Sequence, residues 1–160
     1  MSKPLTVAVD NDRAPAPRFL VVDGRVPEAV RQLLEEADGC LNMSFTVGGT
    51  ACVRRAIRVI VEGEGISGDD YSASLIALSQ KHPGVAPTLF QILDLLGSGD
   101  EPLQPDALKV LTATVKGVVY EVYVLGAERI ESLEYLRELM KALDRGKLPV
   151  KLSKSANKSS

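Results

Sequence analysis

Apolar residues recur every three or four positions along most of this chain, and that period constrains the fold more than any other feature. Over 105–125, Leu108, Leu111, Val115, Val118, Val119 and Val122 keep helical spacing. Over 127–144, Ile130, Leu133, Leu136, Met140 and Leu143 form a second seam. Glu128, Arg129, Glu131, Glu134, Arg137, Glu138 and Lys141 lie on its wet side. A 3.6-residue period gathers apolar side chains on one stripe of a helix. Stripes of this kind are stable when they are buried on one another, so the spacing predicts an all-α bundle.

Four further helices are predicted upstream. The first covers 26–43, with Pro27 suited to the first turn and Val26, Val30, Leu33, Leu34, Ala37 and Leu41 on one face. A turn over 44–49 follows, with Gly48-Gly49 as the breaker. The second helix, 50–62, is apolar around most of its circumference, which predicts a central place in the bundle. After Gly63, Gly65 and Gly68, Ser67 or Asp69 can cap a third helix over 70–81, with Tyr71, Leu75 and Leu78 as its core stripe. A short fourth helix over 87–96 carries Leu89, Phe90, Leu93 and Leu96. Within the fifth helix, 118–124 is rich in β-branched and aromatic residues and competes as a strand. The unbroken spacing from Leu108 favours helix, although Gly117 weakens it.

The chain thus divides into an extended N-terminal segment (1–25, interrupted by Pro4, Pro15 and Pro17), a helical domain of about six helices (26–146) and a Ser/Lys-rich tail (147–160) expected to be disordered. Charge follows this division. Residues 1–140 carry a net of −7 and residues 141–160 a net of +5. A domain built to capture nucleic acid would be basic, so nucleic acid is not favoured as a partner. The longest apolar stretch, 117–127, is interrupted by Glu121 and too short for a bilayer span, and the N-terminus lacks the apolar core of a secretory signal. A cytoplasmic location without membrane association is expected. The two cysteines, Cys40 and Cys52, are expected to be buried free thiols, and a single histidine argues against a zinc site.

The residues open to chemistry are few. His82 stands in a helix-ending Lys-His-Pro-Gly turn and has no local partner to orient it as a base. The glycines of 63–68 follow a helix instead of a strand, so they do not form a phosphate-cradling loop. Asp94, Asp100, Glu101 and Asp106 lack calcium-loop spacing. Arg54, Arg55 and Arg58 are the candidate binding residues. Either they pair with Glu62 and with Glu35 or Glu36 of the preceding helix, or they form an anion- or partner-binding patch. No catalytic residue, metal ligand or cofactor is assigned. Tyr120, Tyr123, Tyr135 and Leu139 exceed the needs of one core stripe, and apolar groups outside a seam mark an interface.

The order of these features resembles a family. A Pro-led helix with an acidic wet face is followed by a small-residue turn, Arg54-Arg55-Ala56-Ile57, a Gly65-Ile66 connector, the Leu75/Leu78 helix and a short helix closed by Gly97. Across about 25–143 this resembles a bacterial branch of the HEPN superfamily, helical domains found alone or fused to restriction-type helicase and nuclease subunits. The resemblance implies a HEPN-like bundle and a homodimer. Active members are metal-independent ribonucleases with an Arg, an Asn and a His near the start of a late helix. Here Asp94 stands where the Arg would be, Ser98 where the Asn would be, and no His follows. Arg58 replaces a Glu common in the second helix. An acidic stretch repels a phosphate, so the expected product is a non-enzymatic binding or assembly module. The alternative is an RNA-binding or ribonuclease domain with a displaced site.

Overall fold

In the computed structural model, residues 23–146 are described, and every regular element among them is helical. Most of the expected extended segment and the whole of the expected tail lie outside these residues. The helices are α1 (Glu28–Asn42), α2 (Thr46–Gly63), α3 (Tyr71–Lys81), α4 (Pro87–Gly97), α5 (Pro105–Val119) and α6 (Gly126–Asp144). A π-helical turn, Tyr120–Leu125, joins α5 to α6 without a break. The backbone N–H of Gly126 donates to the carbonyl of Glu121, five residues back, which defines this wider turn. The 118–124 stretch is therefore helical, although its β-branched residues compete for strand.

α2 and α5 are the two central helices. α1 packs along α2, α4 packs along α5, and α2 and α5 pack on each other, with α3 laid against α4. The core joins Val30, Leu34 and Ala37 of α1 to Val53, Ala56, Ile57 and Ile60 of α2 and to Leu108, Leu111, Val115, Val118 and Val119 of α5. Leu75, Leu78, Phe90 and Leu93 close it from α3 and α4.

Two expected boundaries move. The Gly48-Gly49 pair does not break the chain, because α2 starts at Thr46 and contains both glycines. A Cβ at Gly49 would lie 2.8 Å from Leu108 Cδ2 and 3.3 Å from Cys40 Cβ, so this glycine admits neighbouring helices to close range. The reversal between α1 and α2 falls on Ser44, the one non-glycine residue with positive φ (60°) among the described residues. The cap of α3 is Asp70, whose carboxylate accepts from the Ala73 N–H at 3.2 Å; Ser67 and Asp69 precede it in the connector.

The length argument against a membrane span also needs correction. The helical run Pro105–Asp144 contains a window that is long and apolar enough to cross a bilayer by length and composition. Half of that window is buried inside the protein, where α5 supplies core residues.

The last helix departs furthest from expectation. α6 has 19 residues, and none of them is buried. Among the described residues, its only extensive contact is with the π-helical turn from which it grows. Ile130, Leu133, Leu136, Met140 and Leu143, the expected core seam, are all more than half exposed. Tyr120 and Tyr123, expected to be surplus to the core, pack against it instead.

Candidate functional site

The three arginines of α2 lie along an edge of a central helix but do not act as one group. Arg54 is half-buried and committed to backbone. Its guanidinium donates to the carbonyls of Glu101 at 2.8 Å and Ser98 at 3.2 Å, holding the α4–α5 loop. Its Nε is buried without a partner. Arg55 and Arg58 are exposed and make no ion pair among the described residues. The expected pairing of these arginines with Glu62, Glu35 or Glu36 is therefore absent. The loop carbonyls draw Arg54 across to the α4–α5 connection, away from α1. Arg58 instead stands at the edge of a cleft of about 520 Å³ between α2 and the 65–69 connector, with Ile57, Val61, Ile66 and Tyr71 on its walls.

The stretch that would carry a ribonuclease motif is engaged in structure. Asp94 accepts from the Ser72 hydroxyl at 2.6 Å, and the Ser98 hydroxyl donates to the Asp94 carbonyl at 2.9 Å. Gly97 faces Tyr71, whose hydroxyl donates to the Leu93 carbonyl at 2.7 Å; a side chain at 97 would collide with that hydroxyl. Arg54, which reaches this loop, uses its donors on the carbonyls of Glu101 and Ser98.

His82 caps the C-terminus of α3 and does have a partner, though a distant one in sequence. Its Nε2 lies 2.8 Å from Glu64 Oε2, and Lys81 Nζ lies 3.2 Å from the same oxygen. Burial alone would raise the Glu64 carboxyl, but the hydrogen bonds and charges of His82 and Lys81 outweigh it and hold the group below its ordinary value. Burial, assisted by the Glu64 carboxylate, pushes the Tyr123 phenol up to about 12. These groups border a cleft of about 530 Å³ that also receives Glu121 and Arg129, themselves paired at 3.5 Å. Glu64 and His82 are 18 residues apart, across a connector and a helix, so no local spacing announces their contact. The cysteines are free and partly buried. Burial, then the Glu36 carboxylate, pushes the Cys52 thiol up.

A second pair also escapes local reading. Lys116, buried on α5, donates to Asp38 on α1 at 2.6 and 2.8 Å. Among the described residues no group of three or more His, Cys, Asp or Glu side chains is placed to hold a metal ion.

Against these internally satisfied clusters, the face of α6 stands apart. Leu133 (55 % exposed), Leu136 (53 %), Met140 (65 %) and Leu143 (59 %) follow one another at intervals of three, four and three residues. That is a two-heptad seam of the kind that packs on another helix. Ile130 adds apolar area at its margin. A contiguous exposed patch of this kind marks a contact surface. No family model, no curated protein and no solved structure matches this chain.

Proposed function

We propose that this protein is a non-enzymatic helical assembly module, a degenerate HEPN-like domain that works by burying the face of α6 on a protein partner, in the first place a second copy of itself. The exposed α6 seam carries this reading: a 19-residue helix with no buried residue leaves its largest apolar groups in water. The HEPN-like part rests on the order of helices and on Gly97 closing α4 beneath Tyr71. Its degenerate character rests on Asp94, Ser98 and the absence of a following histidine. The free thiols suit a reducing compartment, and we place the module in the cytoplasm. A membrane surface suits α6 less well. The helix carries five acidic and three basic side chains, whereas helices that lie on anionic lipid present a basic polar face.

The test is light scattering at micromolar concentration. The full chain should give a particle mass above 17.2 kDa, and Leu133→Glu with Leu136→Glu should return it to the monomer with the circular dichroism of the parent. A wild-type protein that stays monomeric on concentration overturns the self-assembly reading. Metal-independent RNA cleavage that disappears in Arg54→Ala or His82→Ala overturns the non-enzymatic one.

A further inference from the structure

We propose that Cys40 and Cys52 form a reversible redox site, a dithiol that hydrogen peroxide converts to a disulfide joining α1 to α2. The chain has two cysteines, and the fold brings both to one place. Cys40 lies in the last turn of α1 and Cys52 in the second turn of α2. The reversal at Ser44 lays the two helices side by side.

Gly48 and Gly49 set how closely the cysteines meet. A Cβ at Gly48 would lie 3.2 Å from Cys40 Sγ, and one at Gly49 would lie 3.3 Å from Cys40 Cβ. The Cys40 side chain therefore rests on the backbone of α2, in space that any larger residue at 48 or 49 would take up. Cys52 is four residues beyond Gly48 and three beyond Gly49, so it shares their face of α2. Side chains on a helix lean toward its N-terminus, which inclines Cys52 back toward the same spot. A disulfide needs its Cα atoms within about 7 Å of each other, and the two glycines let α1 and α2 approach closely on this face.

The surroundings agree with that placement. The Glu36 carboxylate and Cys40 act on the Cys52 thiol by charge and by hydrogen bonding, so the two sulfurs are neighbours. Glu36 stands one turn before Cys40 on α1. Both thiols are partly exposed, which admits a small oxidant. Burial and Glu36 make Cys52 yield its proton less readily than an ordinary cysteine, so Cys40 takes the first step. The Cys40 sulfur attacks one peroxide oxygen, the O–O bond breaks, water leaves and a sulfenic acid remains. The Cys52 sulfur then displaces the sulfenic hydroxyl. The S–S bond forms, and the hydroxyl leaves with the Cys52 proton as a second water; Glu36 stands beside that proton to pass it on. The two sulfurs together give up two electrons, which the peroxide oxygens take up. A thiol reductant reverses the change, so in a reducing compartment the bond lasts only while oxidant is present. The loop it closes contains Met43, Phe45 and Val47, all more than half exposed, so oxidation fixes the turn that presents them.

The test treats the full chain with hydrogen peroxide at neutral pH and reads its intact mass without reductant. The expected product is a chain lighter by two hydrogens, with residues 40 and 52 in one cross-linked peptide, and dithiothreitol restores the starting mass. The oxidised chain should melt about 5–10 °C above the reduced one, the effect of closing a short loop. Cys40→Ser and Cys52→Ser, each with the circular dichroism of the parent, should lose both the cross-link and the melting shift. A chain that gains oxygen without linking 40 to 52, or that links only between copies, overturns the inference. So does a treated chain in which both thiols are still open to alkylation in urea.

Discussion

α1 and α6 are written in the same pattern and meet opposite fates. Each is an amphipathic helix with an acidic wet side, and each carries its apolar residues at intervals of three and four. α1 lays Val30, Leu34 and Ala37 against α2 and α5 and buries all three. Among the described residues, α6 lays its seam against no other helix and buries none of it. A periodic stripe therefore says that a helix has a face to cover. It does not say whether the cover is the chain's own body or another molecule. What distinguishes the two is the rest of the bundle. Among the described residues, α2 and α5 take their cover from α1, α3 and α4 and from each other, and α6 adds no buried residue to that core.

The comparison can be tested first inside the body. Ile57 is 1 % exposed in the middle of α2. Ile57→Ala should lower unfolding free energy by about 2–5 kcal/mol in urea denaturation, because it leaves a cavity that close-packed neighbours fill only in part. A loss as small as that of a surface substitution would remove α2 from the core. The Lys116–Asp38 pair comes next, since it ties α5 to α1. Asp38→Ala leaves a buried ammonium without its partner and should cost about 1–3 kcal/mol, discounted for the partial exposure of the carboxylate. Lys116→Met, which removes the charge and keeps the apolar stem, should cost less. A larger loss for Lys116→Met would show that the pair contributes more than the satisfaction of a buried charge.

The Glu64 cluster should appear in the acid limb of stability. Its carboxyl titrates below the ordinary value of 4.5, so the stabilisation it supplies is present above that pH. It is lost as pH falls through the lower folded value. Glu64→Gln should be less stable than wild type at neutral pH, and the difference should shrink as the pH drops below about 4.5. A difference that stays constant to pH 3 would remove the His82–Lys81–Glu64 contact from the account. The smallest effect belongs to α6. Leu136→Ala should change the stability of the isolated monomer by no more than about 0.5 kcal/mol while weakening self-assembly. A core-sized loss in the monomer would mean that α6 folds back on the body in solution.

Most of the body was legible because its helices obey local rules. The spacing from Leu108 to Val122 located α5, and its expected core residues are all buried. Pro87 and Pro105 open α4 and α5 where their missing N–H groups cost nothing. The errors fall where a residue answers to a distant neighbour. Gly49 reads as a breaker until Leu108 is seen beside it. Arg54 reads as a free or salt-bridged cation until the carbonyls of Ser98 and Glu101 are brought to it from the α4–α5 loop. His82 reads as a bare helix end until Glu64 arrives. The α6 seam was legible as a seam, but its exposure depends on how many apolar faces the other helices leave uncovered, which is a property of the whole bundle.

The π-helical turn gives this arrangement a phase. Along Pro105–Asp144 the backbone is one continuous rod, yet the wide turn at Tyr120–Leu125 takes up more residues per revolution than the helices on either side. Each residue of an α-helix advances the side-chain direction by about 100°, so the turn sets the compass bearing of everything beyond it. Closing this turn to ordinary α-helical geometry at the same residue count would turn the α6 seam by more than a quarter of a revolution with no change in any seam side chain. A change in the width of this turn would act on assembly as a change of aim, with the core upstream left as it is.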